Sequence, residues 1–196
     1  MVMVVPYLIA ITALIFFADT LMGGLLSKFF ALTPALVATQ PWTLVTSMFL
    51  HGSILHIFFN MFGLLMFGPF LETKVGKKNF LLIYFASGIM GNLGYIFTAG
   101  LGSTVPVIGA SGAIFGVLGA LALLQPNMMV FVGFIPMPIY MAAIFWFFME
   151  LTSGVTGSEP GIANFAHVFG LAGGLAIANR LKKEVIKKGR WLNADD

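Results

Sequence analysis

Apolar runs of membrane-crossing length follow one another through most of this sequence, at residues 2–26, 49–71, 80–99, 109–125, 137–151 and 161–179. A helix rising 1.5 Å per residue crosses a hydrocarbon core of about 30 Å in roughly 20 residues. The runs lack the strict apolar–polar alternation of a lipid-facing β-barrel. Hydrophobic residues make up 59% of the 196, charged residues only 9%, and the mean hydropathy is +1.00. Soluble domains carry about 25% charged residues, and no segment between the runs is long enough to bury its own core. The expected fold is an all-α membrane protein, a single six-transmembrane-helix domain over residues 1–196 with a basic tail at 180–196.

The breaks between runs are informative. Residues 27–46 contain Lys28, Pro34, Pro41 and Trp42 and are too polar and Pro-broken for a regular span. So long a connection between packed helices marks a functional or interfacial segment. Residues 128–149 are interrupted by Pro136 and Pro138, so only the second part is expected as a full helix, with 128–135 at the interface. A loop at 152–160 precedes the sixth run.

Nine of the ten basic residues follow the second run or lie in the tail from Arg180. The positive-inside rule then puts both termini in the cytoplasm of a multi-pass cell-membrane protein, as an even number of spans requires. The absence of an accessory domain points to a bacterial or archaeal plasma membrane. The apolar N-terminus has no basic n-region and reads as a retained span, not a cleaved signal. Because the basic residues sit at span ends, the net charge of +3 does not suggest a nucleic-acid partner. Membrane lipid is the expected partner of the tail. Cysteine is absent, which excludes disulfides, thiolate metal sites and a cysteine nucleophile.

Polar groups inside a membrane are costly and therefore candidates for function. Counted from the cytoplasmic run ends, Ser111 and His167 lie roughly 21 and 20 Å deep, and His56 and Asn60 roughly 24 and 18 Å. Four polar groups from three helices thus share one layer. On the sixth run His167, Gly170 and Gly174 share a face, and on the fourth Gly112, Gly116 and Gly119 form a second small-residue seam. If the seams meet, backbones approach closely and His167 comes to Ser111.

A serine hydroxyl becomes a nucleophile when a base takes its proton, and neutral histidine suits that task. Ser111 also opens its helix, whose unpaired N–H groups favour a developing oxyanion. His56 and Asn60, one turn apart, are placed to donate to the same oxygen. No carboxylate is close to His167 in the sequence pattern, so a Ser-His dyad is expected. Glu150 and Asp19 read as interface residues, Glu72 as a local closure of its own helix, and His51 as a structural anchor.

The segments His51-Gly52-Ser53-Ile54-Leu55-His56-Ile57-Phe58-Phe59-Asn60, Gly109-Ala110-Ser111-Gly112 and Ala166-His167-Val168-Phe169-Gly170 with Gly174 resemble the rhomboid intramembrane serine proteases, in this order and on these runs. The resemblance covers residues 42–179. It implies a rhomboid-like bundle with Ser111 as nucleophile, His167 as general base, and His56, Asn60 and Gly109 in the oxyanion hole. It implies a membrane-embedded loop before the second run, a lid at 152–160, and transmembrane protein substrates cut in or near the membrane. Phe115 stands where the family often has tyrosine; ring stacking under the histidine would survive that change.

No metal or organic cofactor is called for. His51 and His56 do not make a His-Glu-x-x-His zinc motif, paired intramembrane aspartates are missing, and no internal repeat of the transporter kind is visible. The alternative function is a catalytically silent rhomboid-like chaperone or helix-binding protein.

Overall fold

The structure, a computed structural model, describes residues 3–158 and 163–187. In chain order it has α1 (Val5–Leu21), α2 (Leu25–Phe30), α3 (Thr43–Thr46), α4 (Ile54–Val75), α5 (Lys77–Ala99), α6 (Ser111–Leu124), β1 (Met129–Val132), β2 (Ile135–Pro138), α7 (Ile139–Thr156) and α8 (Asn164–Lys187). Among the described residues α4, α5 and α7 are long and apolar enough to cross a bilayer, and α1 and α6 are shorter apolar helices. The chain is a mostly helical membrane protein.

The expectation of an all-α fold needs one correction. Residues 129–138, which include most of the segment expected to lie at the interface, form an antiparallel hairpin in which Met129 faces Pro138 and Val132 faces Ile135. Pro136 and Pro138 cannot continue a helix but are tolerated on a strand with a free edge. Gly133, at φ 62°, supplies the left-handed turn.

Helix ends follow local chemistry. The first run stops at Leu21 because Gly23 and Gly24 both take positive φ. Within the second run the helix starts at Ile54, where the Ser53 hydroxyl caps it by accepting from His56 N at 3.1 Å. In the expected loop at 152–160, residues up to Thr156 continue α7, helped by the Thr156 hydroxyl donating to Thr152 O at 2.8 Å. Residues 159 and 160, and the tail from 188, lie outside the described residues.

Ten of the 14 residues of α6 are buried, which makes it the central helix. Its seam meets that of α8 as the glycine spacing predicts. Gly170 abuts the Gly112 carbonyl, Gly174 the Gly116 carbonyl, and Gly119 the Leu171 carbonyl, each with no room for a Cβ. On α5, a Cβ at Gly91 would lie 2.6 Å from the Ala166 carbonyl oxygen. Three helices therefore touch backbone to backbone around the turn that carries His167.

The segment between α2 and α4 latches the loop before α6. Leu32 and Val107 exchange backbone hydrogen bonds of 3.1 and 2.8 Å, and Gly109 N donates to Ser47 O at 2.9 Å. Asn92 of α5 ties the same segment down, donating to Leu44 O at 2.9 Å and Ser47 Oγ at 3.0 Å.

Two carboxylates cap or tie backbone: Glu72 makes a long-range tie instead of the local closure expected of it, and Asp19, expected as an interface residue, makes a short one. Glu72, 1% exposed, accepts from Val4 N at 2.7 Å and Val5 N at 3.1 Å. It caps the first turn of α1, whose N–H groups have no intrahelical acceptor and whose dipole favours an anion. Asp19, also buried, accepts from the backbone and hydroxyl of Ser27 and folds α2 back on α1.

Candidate active site

His167 Nε2 lies 2.7 Å from Ser111 Oγ, across the α6–α8 seam. Ser111 is the first residue of α6, and the first N–H to find an acceptor within the helix is that of Ile114, on Ala110 O. The amides of the opening turn thus have no acceptor within the helix. Below the imidazole the Phe115 ring is parallel to within 4°, with centroids 4.5 Å apart. Stacking of that kind needs no phenolic hydroxyl.

The opposite wall is made by Gly109 and His56. Gly109 has φ 126°, a conformation L side chains rarely adopt, and a Cβ there would come 2.7 Å from His56 Nε2 and 3.8 Å from Ser111 Oγ. His56 Nδ1 accepts from Gly52 N at 3.5 Å. A neutral imidazole that accepts at Nδ1 carries its proton on Nε2, so His56 presents a donor to the space above Ser111. Asn60 is buried one turn further on and uses one amide hydrogen on His56 O at 2.9 Å, leaving its second unassigned. His51 is buried, its ring edge-to-face with that of His56, and its Nε2 accepts from Ala110 N at 3.5 Å. It therefore anchors the residue next to Ser111.

Glu150 is the residue that reading the sequence missed. Expected at the interface, it is 6% exposed, and Oε2 lies 2.9 Å from His167 Nδ1. The same oxygen accepts from Asn164 Nδ2 at 2.8 Å. The contact with Nδ1 is close but not aligned as a directed hydrogen bond. The available signal was that Glu150 interrupts an apolar run with a carboxylate, the costliest kind of residue to place there.

Ser111, His167, His56, Asn60 and Gly109 all line one cavity of about 570 Å³, a size suited to a peptide side chain or a small ligand. The five residues expected at one site are thus brought together. The arrangement can deprotonate an alcohol and offer N–H donors to an oxygen bonded beside it.

The rhomboid domain family matches residues 38–184. The chain belongs to the rhomboid family. It is similar to a Bacillus subtilis (strain 168) protein named "Putative rhomboid protease YdcA", at 37% identity over 139 residues, covering 70% of this chain and 65% of that protein. It is similar to the rhomboid protease GluP of the same organism, at 35% over 181 residues, covering 88% of this chain but 34% of GluP. A third relative, from Arabidopsis thaliana, is named inactive RHOMBOID-like protein 8 and is 35% identical over 150 residues, covering 76% of this chain and 39% of that protein. The match thus spans under two thirds of each of these rhomboid relatives. Because two of them carry protease in their names and one is named inactive, the case for activity rests on the site.

Proposed function

We propose that this rhomboid protein is an intramembrane serine endopeptidase that cleaves single-span transmembrane proteins in or near the membrane. In this reading it crosses the cell membrane six times as one domain, with both termini cytoplasmic. The observation that carries it is the 2.7 Å contact between His167 Nε2 and Ser111 Oγ inside a cavity. A silent scaffold has no use for an alcohol and an imidazole held at that distance by three abutting backbones.

In the reaction, Ser111 Oγ attacks the scissile carbonyl carbon while its proton passes to His167 Nε2. The carbonyl oxygen becomes an oxyanion facing the Ser111 amide and His56 Nε2–H, with the second amide hydrogen of Asn60 in reserve and Gly109 leaving the space open. His167 then returns the proton to the amide nitrogen as the C–N bond breaks, which frees the amine fragment and leaves an acyl ester on Ser111. Water, deprotonated by the same histidine, hydrolyses the ester. Donors already in place when charge develops typically supply the largest share of such catalysis.

The test is reconstitution in liposomes with a single-span substrate. Ser111→Ala and His167→Ala should each abolish cleavage while leaving the helical circular dichroism unchanged. A Ser111→Ala protein that cleaves at the parental rate would refute the reading. A fluorophosphonate should label Ser111 covalently in the parent and not in the His167→Ala protein.

A further inference from the structure

The acid–base unit has a third side chain. We propose that Glu150 is a positioning residue whose carboxylate, against His167 Nδ1, fixes the imidazole tautomer that serves Ser111 and stabilises the imidazolium formed during the reaction. This rests on the peptidase reading above and deepens it from a dyad to a Ser-His-Glu arrangement.

The placement is built by α7 and α8. Glu150 and Gly154 lie four residues apart on the same face of α7. A Cβ at Gly154 would sit 3.0 Å from the Phe165 ring and 3.2 Å from Asn164 Cβ, so this is where α7 approaches the start of α8. Asn164 and His167, three apart on α8, both reach back to Glu150 Oε2, at 2.8 and 2.9 Å. The imidazole thus has the serine at one nitrogen, the carboxylate at the other and the Phe115 ring on one face.

Chemistry gives that placement a direction. An ionised carboxylate can only accept, so the single N–H of a neutral imidazole is favoured at Nδ1, and the lone pair of Nε2 is left for the serine proton. When Ser111 transfers its proton to Nε2, Nδ1 keeps its own, and a cation appears beside an anion already in place. Glu150 stays ionised throughout and moves no proton. The terminal torsion of a glutamate is soft, so a modest carboxylate rotation brings Oε2 into line with Nδ1–H. A purely structural role would leave a buried carboxylate with a neutral amide as its main compensation, an expensive arrangement in a membrane.

The test uses Glu150→Gln, which keeps shape and an acceptor without the charge, and Glu150→Leu, which keeps neither. With a single-span substrate in liposomes, kcat should fall at least about tenfold in both, with KM within about twofold. The chain has three histidines, so ring-nitrogen NMR of the ¹⁵N-histidine protein in bilayers, assigned with a His167→Gln sample, reads the tautomer directly. His167 should carry its proton on Nδ1 in the parent and shift toward Nε2 in Glu150→Leu. Parental kcat in both variants, or an unchanged His167 spectrum in Glu150→Leu, would overturn the proposal. If Glu150→Leu does not fold, Glu150→Gln decides by kcat alone. If the parent cleaves nothing, the peptidase reading fails, while the spectrum still reports whether Glu150 sets the tautomer.

Discussion

Gly174 on α8 lies against the backbone carbonyl of Gly116 on α6 with no space for a methyl group between them. Because the obstacle is backbone, neither helix can yield without carrying its own catalytic residue along. Alanine gains up to about 1 kcal/mol of intrinsic helix stability over glycine, whereas overpacking a tight contact typically costs about 1–3 kcal/mol. Gly174→Ala should therefore lower the unfolding temperature in detergent and slow fluorophosphonate labelling of Ser111. Gly173→Ala is the control, because its Cβ would meet the end of the flexible Met90 side chain and should be close to neutral by both measurements.

That seam was legible in the sequence because small residues at helical spacing have one physical use in a membrane. Depth was legible too, since a fixed rise per residue converts position into height, and Ser111 and His167 come out level. Glu150 was not. Its distance from His167 depends on where α7 is set down, and that is fixed by a hairpin whose prolines read as a break and not as a strand edge. The partner of Glu72 was equally hidden, because the N–H groups it caps lie 67 and 68 positions away, and no periodicity links a helix end to a carboxylate on another helix.

Glu72 gives a prediction separable from catalysis. Glu72→Ala removes the acceptor for two backbone N–H groups at a helix start, of which that of Val5 is buried and costs about 1–3 kcal/mol when left unpaired. The protein should unfold at a lower temperature in detergent, with hydrogen exchange at Val4 and Val5 accelerated. At temperatures where it remains folded, its rate of labelling at Ser111 should match the parent, since Glu72 does not line the catalytic cavity.

Phe115 tests whether stacking or a hydroxyl matters beneath the histidine. The rings are parallel at 4.5 Å, and aromatic pairs contribute about 0.5–1.5 kcal/mol beyond burial. Phe115→Tyr should leave kcat within about twofold of the parent. Phe115→Leu removes the flat support and should lower kcat by roughly 2- to 10-fold if the loss is expressed in the transition state. A tyrosine variant much faster than the parent would show that the hydroxyl had been wanted all along.

Gly109→Ala is the sharpest probe of the oxyanion wall. The new methyl would come 2.7 Å from His56 Nε2, and φ at 126° is unfavourable for any L residue, so the loop must shift or His56 must swing away. Either way the donor moves, while the Ser111–His167 contact is held by the α6–α8 backbone seam, which the new methyl does not meet. Loss of one oxyanion donor typically costs about 10²–10³ in kcat. The expected outcome in liposomes is a fall of that order with KM little changed, and His56→Leu should give a similar loss. Combining the two should cost little more than either alone, because both remove the same hydrogen bond; additive losses would instead show that Gly109 and His56 act on different steps.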